Sequence, residues 1–261
     1  MKRETRQTQD SAPYVALFAT CLVNAMRPSI GFAALALLDQ AGCRVEVPKG
    51  QTCCGQPALN TGDTEGTRKI AKRNIKLLSG FDHVVVPSGS CAATIKKDYP
   101  DLFEADPVWH AKAVDLANRT YELLSYMSDL WAWRPKNVSC AASATYHDSC
   151  SGLRSLNVQA QPRTMLAGVA GLEMRPLEGA NVCCGFGGTF CVKYPDISNA
   201  IVGEKAAAVN ATGADLLLGG DLGCLMNMAG KLHRDGSKVR AFHTAEILAG
   251  MGDGPAIGET A

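Results

Sequence analysis

The chain has 261 residues, 46% of them hydrophobic and 20% charged, which leaves room for two domains of ordinary size. A net charge of +1 gives no basis for binding nucleic acid or an anionic membrane surface, and no apolar run approaches the ~20 residues of a bilayer span. The first dozen residues, MKRETRQTQDSA, lack the apolar centre of a secretory signal, so the eleven cysteines are read in a reducing cytoplasm, as metal ligands rather than disulfides.

Tyr14 to Thr20 is an apolar run of strand length that stops at Cys21. Pro28 to Ala41 has helical spacing between a starting Pro and Gly42. Arg44 to Val47 reads as a second strand, feeding a loop with Cys53, Cys54 and Gly55. Asp63 to Ser79 predicts a helix capped by Asp63, and His83 to Pro87 a third strand just before Cys91. Asp101 to Asp129 reads as one or two amphipathic helices, and the WAWRP segment at 131–135 as a boundary.

The second half repeats the order. Ser143 to His147 runs into Cys150, a helix near Pro162 to Ala170 precedes a strand at Leu172 to Pro176, and a Cys-Cys-Gly loop follows. A helix from Ile197 to Thr212 then leads to a strand at Asp215 to Leu218, before Cys224. The expected fold is α/β: two tandem pseudo-symmetric open parallel-sheet units with crossover helices, residues 13–135 and 136–261, one motif each.

Cys21, Cys53, Cys54 and Cys91 recur as Cys150, Cys183, Cys184 and Cys224, at offsets of 129, 130, 130 and 133 residues. Each set follows the carboxyl ends of three strands, the edge where open parallel sheets bind ligands beside helix starts. Thiolates in such numbers suit soft metals. Structural zinc draws its ligands in close pairs, whereas here each set has one adjacent pair and two distant singles; iron–sulfur and zinc both stay open. Gly55, Gly89, Gly185, Gly187, Gly188 and Gly223 are expected to bring backbone N–H groups close to sulfur.

CCGQPALNTGD at 53–63, PSGSC at 87–91, YHDSC at 146–150, CCGFGGTFCVKYPDIS at 183–198, GCLMN at 223–227 and HTAEIL at 243–248 carry a resemblance. The chain resembles the cysteine-rich CCG-domain proteins, among them the CCG-containing subunit of heterodisulfide reductase and the glycolate oxidase iron–sulfur subunit. Most closely it is similar to the lactate-utilisation protein A family of L-lactate dehydrogenase complex iron–sulfur subunits. The resemblance implies an electron-transfer subunit that holds one or two 4Fe-4S clusters on the eight repeated cysteines. It further implies a cytoplasmic location, membrane-associated only through partners, and partner subunits that include a ferredoxin-like iron–sulfur protein.

The relatives' full motif ends in Cys-x-x-Cys; here Ser88 and Asp221 replace the first cysteine of that pair. Four cysteines per half suffice for a cubane cluster. A non-cubane cluster, with the disulfide-reducing catalysis of the distant relatives, requires an oxygen ligand from Ser88 or Asp221. His147, three residues before Cys150, is either a group at the metal site or a hydrogen-bonded strand end, and Cys191 is either a spare ligand or a small core residue. Cys43 and Cys140, in a strand start and a loop, read as structural, and His243 as a brace at a helix start. Trp109, Trp131 and Trp133 either pack the boundary or form a docking patch.

Overall fold

A computed structural model describes residues 12–259; the reading of the first eleven residues, and residues 260 and 261 of the second unit, lie outside the described residues. The first half runs β1 (Tyr14–Leu17), α1 (Cys21–Met26), α2 (Pro28–Gln40), β2 (Arg44–Glu46), α3 (Gln56–Leu59), α4 (Thr64–Leu77) and β3 (His83–Val86). It continues through α5 (Gly89–Ala93), a π-turn at Thr94–Asp98, α6 (Tyr99–Leu102), α7 (Pro107–Asn118), β4 (Thr120–Glu122), α8 (Leu123–Ser125) and a π-turn at Tyr126–Leu130. The second half runs β5 (Ser139–His147), α9 (Cys150–Leu156), α10 (Ala160–Leu166), β6 (Ala170–Met174), α11 (Phe190–Lys193) and α12 (Pro195–Ala211). It ends with β7 (Leu216–Gly219), α13 (Leu222–Arg234), β8 (Arg240–His243) and α14 (Thr244–Leu248).

Each half is a four-stranded parallel sheet, in the orders β2-β1-β3-β4 and β6-β5-β7-β8. The central strands are continuous apolar runs because helices cover both faces: Val15, Ala16 and Leu17 are fully buried, as are Val84, Val85 and Val86. Helix signals act where expected. Asp63 caps α4 by accepting from the Gly66 N–H, and Pro28 opens α2.

Two expectations are corrected. Each sheet has a fourth strand, β4 and β8, because three or four residues between helices carry too short a pattern to register; β4 lies inside the segment expected to be wholly helical. Cys140 is part of β5, which starts at Ser139 and pairs with Ala170 across an irregular register, and is not in a loop.

The halves are related by an approximate two-fold, and their contacts are reciprocal. α2 packs on α14 while its counterpart α10 packs on α8, and α5 packs on α9 while its counterpart α13 packs on α1. The α5–α9 crossing is tight enough that a Cβ on Gly89 would lie 3.0 Å from the Gly152 backbone. One core cluster joins the sheets, uniting Val15, Leu17, Leu37 and Leu123 with Tyr146, Leu218, Phe242 and Leu248. Trp131 and Trp133 pack against this shared core, and Trp109 lies against Phe103 under Lys72, Lys76 and Lys112.

Candidate metal centres

In each half the four repeated thiols converge. Cys21 and Cys150 begin α1 and α9, where Thr20 and Ser149 cap by accepting from Val23 N and Gly152 N. Cys91 and Cys224 lie in the first turns of α5 and α13, and the Cys-Cys pairs sit in the loops before α3 and α11. These first turns are too short by themselves to show a helical period in the sequence. Their free N–H groups and aligned dipoles suit an anionic group.

The Cys-Cys-Gly triplet has a mechanical reason. Gly55 (φ 95°) and Gly185 (φ 79°) adopt the left-handed conformation, which turns their N–H groups back onto Cys53 Sγ at 3.3 Å and Cys183 Sγ at 3.4 Å. A side chain at Gly185 would meet the Ser198 carbonyl at 2.8 Å. The cysteine carbonyls are tied off as well: Asn74 donates to the Cys53 carbonyl, Tyr99 to that of Cys54 and Asn227 to that of Cys184.

The thiols touch in sequence, Cys54 Sγ lying 3.3 Å from Cys91 Sγ, and all eleven cysteines are unpaired. Hydrogen bonds from Cys21 and then Cys54 hold the Cys53 thiol down at about 2. Those from Cys150 and then Cys184 do the same for Cys183, also at about 2. Giving these hydrogen bonds, followed by burial, pushes Cys21 and Cys150 up. Each set thus gathers four sulfur donors that release protons when a metal binds. A soft metal or a cluster fits this donor set.

The two centres are not alike. A cavity of about 170 Å³ opens over Cys21, Cys53, Cys54 and Cys91, and its far wall comes from the other half: Phe186, Gly188, Thr189, Asp221 and Gly223. The glycine-rich segment after the second Cys-Cys pair therefore roofs the first centre. This corrects the expectation that the glycines serve sulfur generally. Gly188 faces α3, Gly223 accommodates the Phe186 ring, and Gly89 accommodates α9. Cys191 does not join either set; its thiol bonds the Gly188 carbonyl at 3.6 Å.

Ser88 and Asp221, the equivalent positions lacking the fifth cysteine, touch each other. Asp221 Oδ2 accepts from Ser88 Oγ at 3.0 Å and from Ser90 N at 2.9 Å, so it caps α5 of the opposite half instead of its own helix. Cys43 is buried beside the Tyr126 hydroxyl, and His243 caps α14 in a capping box with Glu246.

The second centre has a buried imidazole and a buried ammonium beside it that the first lacks. His147 is 1% exposed, and one ring nitrogen lies within 4.8 Å of the Cys184 and Cys224 sulfurs, yet neither nitrogen has a hydrogen-bond partner. Burial, then Lys205, pushes its imidazolium down to about 4, so the ring is neutral. Lys205 is buried within the apolar face of α12, and its ammonium donates to the carbonyls of Gly179 and Ala180. A lysine among Val202, Ala206 and Val209 is a signal the sequence contains, and sequence reasoning missed it.

Glu122, at the end of β4, was likewise not legible. Oε2 caps α8 through Ser125 N, while Oε1 is buried without a partner. Burial raises its pKa from 4.5 to about 7. Between those values the folded state holds a proton the unfolded chain has lost, so stability falls as pH rises through that window. Glu122→Gln is expected to match the parent at pH 4 and to exceed it at pH 8 by on the order of 1–3 kcal/mol. Urea unfolding at the two pH values checks this; an equal difference at both would exclude Glu122 as the titrating group.

The family model of the cysteine-rich domain, CCG, matches residues 15–96 and 144–229, the two stretches that carry these thiols. Lactate utilization protein A of Exiguobacterium sp. is 45% identical over 238 residues, spanning 90% of this chain and 97% of that protein. The chain belongs to the lactate utilization protein A family. The Bacillus subtilis member is 44% identical over 234 residues, 90% of this chain and 98% of its own length. Among solved structures, a hypothetical protein from Helicobacter pylori shares the fold with a TM-score of 0.64 and 12% identity; the alignment covers 93% of this chain and 49% of that one. The chain thus carries the family's motif twice, once on each parallel sheet. No helix among the described residues is long and apolar enough to cross a membrane.

Proposed function

We propose that this chain is the iron–sulfur electron-transfer subunit of a complex that oxidises L-lactate, with one 4Fe-4S cluster in each half. The observation that carries the reading is the convergence of four thiols in each half, backed by the motif-glycine N–H on Cys53 and Cys183. Cys21, Cys53, Cys54 and Cys91 hold the first cluster, and Cys150, Cys183, Cys184 and Cys224 the second. A 4Fe-4S cluster supplies reversible one-electron storage. The chain's own residues orient the thiolates, exclude water with Phe186 and Leu222, and aim helix N-termini at the negative charge.

The names of the relatives support the lactate context. In that context the electrons come from hydroxy-acid oxidation in a partner subunit, pass to a ferredoxin-like partner, and reach the respiratory chain from the cytoplasmic side. Catalysis at an iron with an oxygen ligand is the less supported reading, since Ser88 and Asp221 are engaged with each other and with the start of α5. Anaerobic purification and reconstitution, followed by iron, sulfide and EPR analysis, tests the proposal. Reducible clusters with iron and acid-labile sulfide in equal amounts are expected. Stoichiometric zinc without sulfide would sink the idea and make the chain a zinc-stabilised interaction module.

A further inference from the structure

Two buried polar groups lie beside the second centre and outside its four thiols. His147 ends β5 with both ring nitrogens unpartnered and one of them within 4.8 Å of two ligand sulfurs. Lys205 is 3% exposed, and among the described residues its ammonium bonds only the carbonyls of Gly179 and Ala180, in the loop that leads to Cys183. Neither has a counterpart in the first half. Three residues before Cys21 stands Phe18, fully buried. Counting from the residues that pack on each motif glycine, Thr67 and Ile70 against Ser198 and Ile201, the place of Lys205 is taken by Asn74.

Reduction of a cluster adds one negative charge to a site removed from water. An N–H donor to sulfur and a buried cation each stabilise the reduced form more than the oxidised one, and low polarity amplifies both. The Phe18 ring has no N–H to give, and the Asn74 amide, which carries no charge, donates to the Cys53 carbonyl and the Tyr99 hydroxyl. The other charges near the second centre do not cancel this. Asp148 is paired bidentately with Arg163 at 2.7 Å, and Asp221 is turned toward Ser88 and Ser90 between the two centres.

We infer that the second centre is the more oxidising of the two, held so by an N–H of His147 directed at its sulfurs and by the charge of Lys205. This rests on the electron-transfer reading above. The two electrons released by 2-hydroxy-acid oxidation in a partner subunit would then pass one at a time from the first centre to the second, each transfer oxidising the first and reducing the second with no bond made or broken. The neighbourhood makes the two copies of one motif a directed pair.

EPR-monitored redox titration of the reconstituted full-length protein tests the inference, with Cys54→Ala and Cys184→Ala assigning each signal to its half. The second centre is expected to have the higher midpoint. His147→Phe and Lys205→Asn, which install the first half's residues, should each move that midpoint down and leave the first unmoved, with iron and sulfide unchanged. Lys205→Arg, which keeps the charge, should retain the parent value. Coincident midpoints, a reversed order, or a second midpoint indifferent to His147→Phe and Lys205→Asn would overturn the inference while the clusters themselves stand. Loss of iron in His147→Phe would make the imidazole a ligand and equally overturn it. Protein without sulfide overturns the electron-transfer reading and the potential step together.

Discussion

Cys54→Ala and Cys184→Ala, each reconstituted anaerobically, are expected to retain about half of the parent's iron and sulfide, and to lose complementary parts of its EPR spectrum. Both residues are 2% exposed and sit in the middle of their thiol chains, between Cys53 and Cys91 and between Cys183 and Cys224. Removing either breaks the thiol chain at its centre. Cys191, the nearest spare thiol in sequence, is bonded within its own loop. Retention of all iron by one variant and none by the other would mean a single occupied centre. The variants also differ in reach. Because Phe186 and Gly188 roof the first cavity, disturbance of Cys184 is expected to alter the remaining first signal slightly, whereas Cys54→Ala should leave the second signal as it was. A double variant, Cys54→Ala with Cys184→Ala, should bind no cluster and leave the fold to the apolar core alone.

How much of this was legible in the sequence depends on the length over which a pattern runs. The strands of HVVV and YVAL, the capped helix after Asp63 and the duplicated cysteines could be read directly, because each is a run or a spacing. β4 and β8 could not, being three or four residues wedged against helices. The meeting of Ser88 with Asp221 was hidden for a different reason. Each reads as the position of the absent fifth cysteine, but nothing in the spacing says that the two equivalent positions face each other. The same holds for the glycine-rich CCGFGGTF segment. Local chemistry suggested that it served its own cysteines, and tertiary packing placed it over those of the other half. His147 stood out by its position before Cys150, but its orphaned nitrogens emerge only once the strand is buried.

Arg27→Met is expected to be the most destabilising single change away from the thiols, by about 3–5 kcal/mol, lowering Tm by roughly 10 °C. Arg27 lies between α1 and α2 of the first half, and its Nε meets Glu246 Oε1 of the second half at 2.9 Å. Ser29 donates to the same oxygen at 2.7 Å, while Oε2 accepts from His243 N. The Glu246 side chain is 1% exposed, so removing the guanidinium leaves a charged carboxylate in the seam between the halves with only a hydroxyl and an amide for company. Replacing both partners, Arg27→Met with Glu246→Gln, should recover most of the loss, because the buried charge is then gone and the capping amide contact can be kept. The shared core adds a second expectation for the apo-protein. Tryptophan fluorescence, which reports on Trp109, Trp131 and Trp133, and far-UV circular dichroism, which reports on both sheets, should follow one coincident transition in parent and variant alike. We propose on this basis that residues 13–135 and 136–261, although copies of one unit, do not fold apart. Two separated transitions, or a 13–135 fragment that folds cooperatively alone, would show that the seam joins finished domains. A single transition that moves with Arg27 would show that the duplicated unit became stable only as a pair, which also accounts for a first centre walled by residues from both copies.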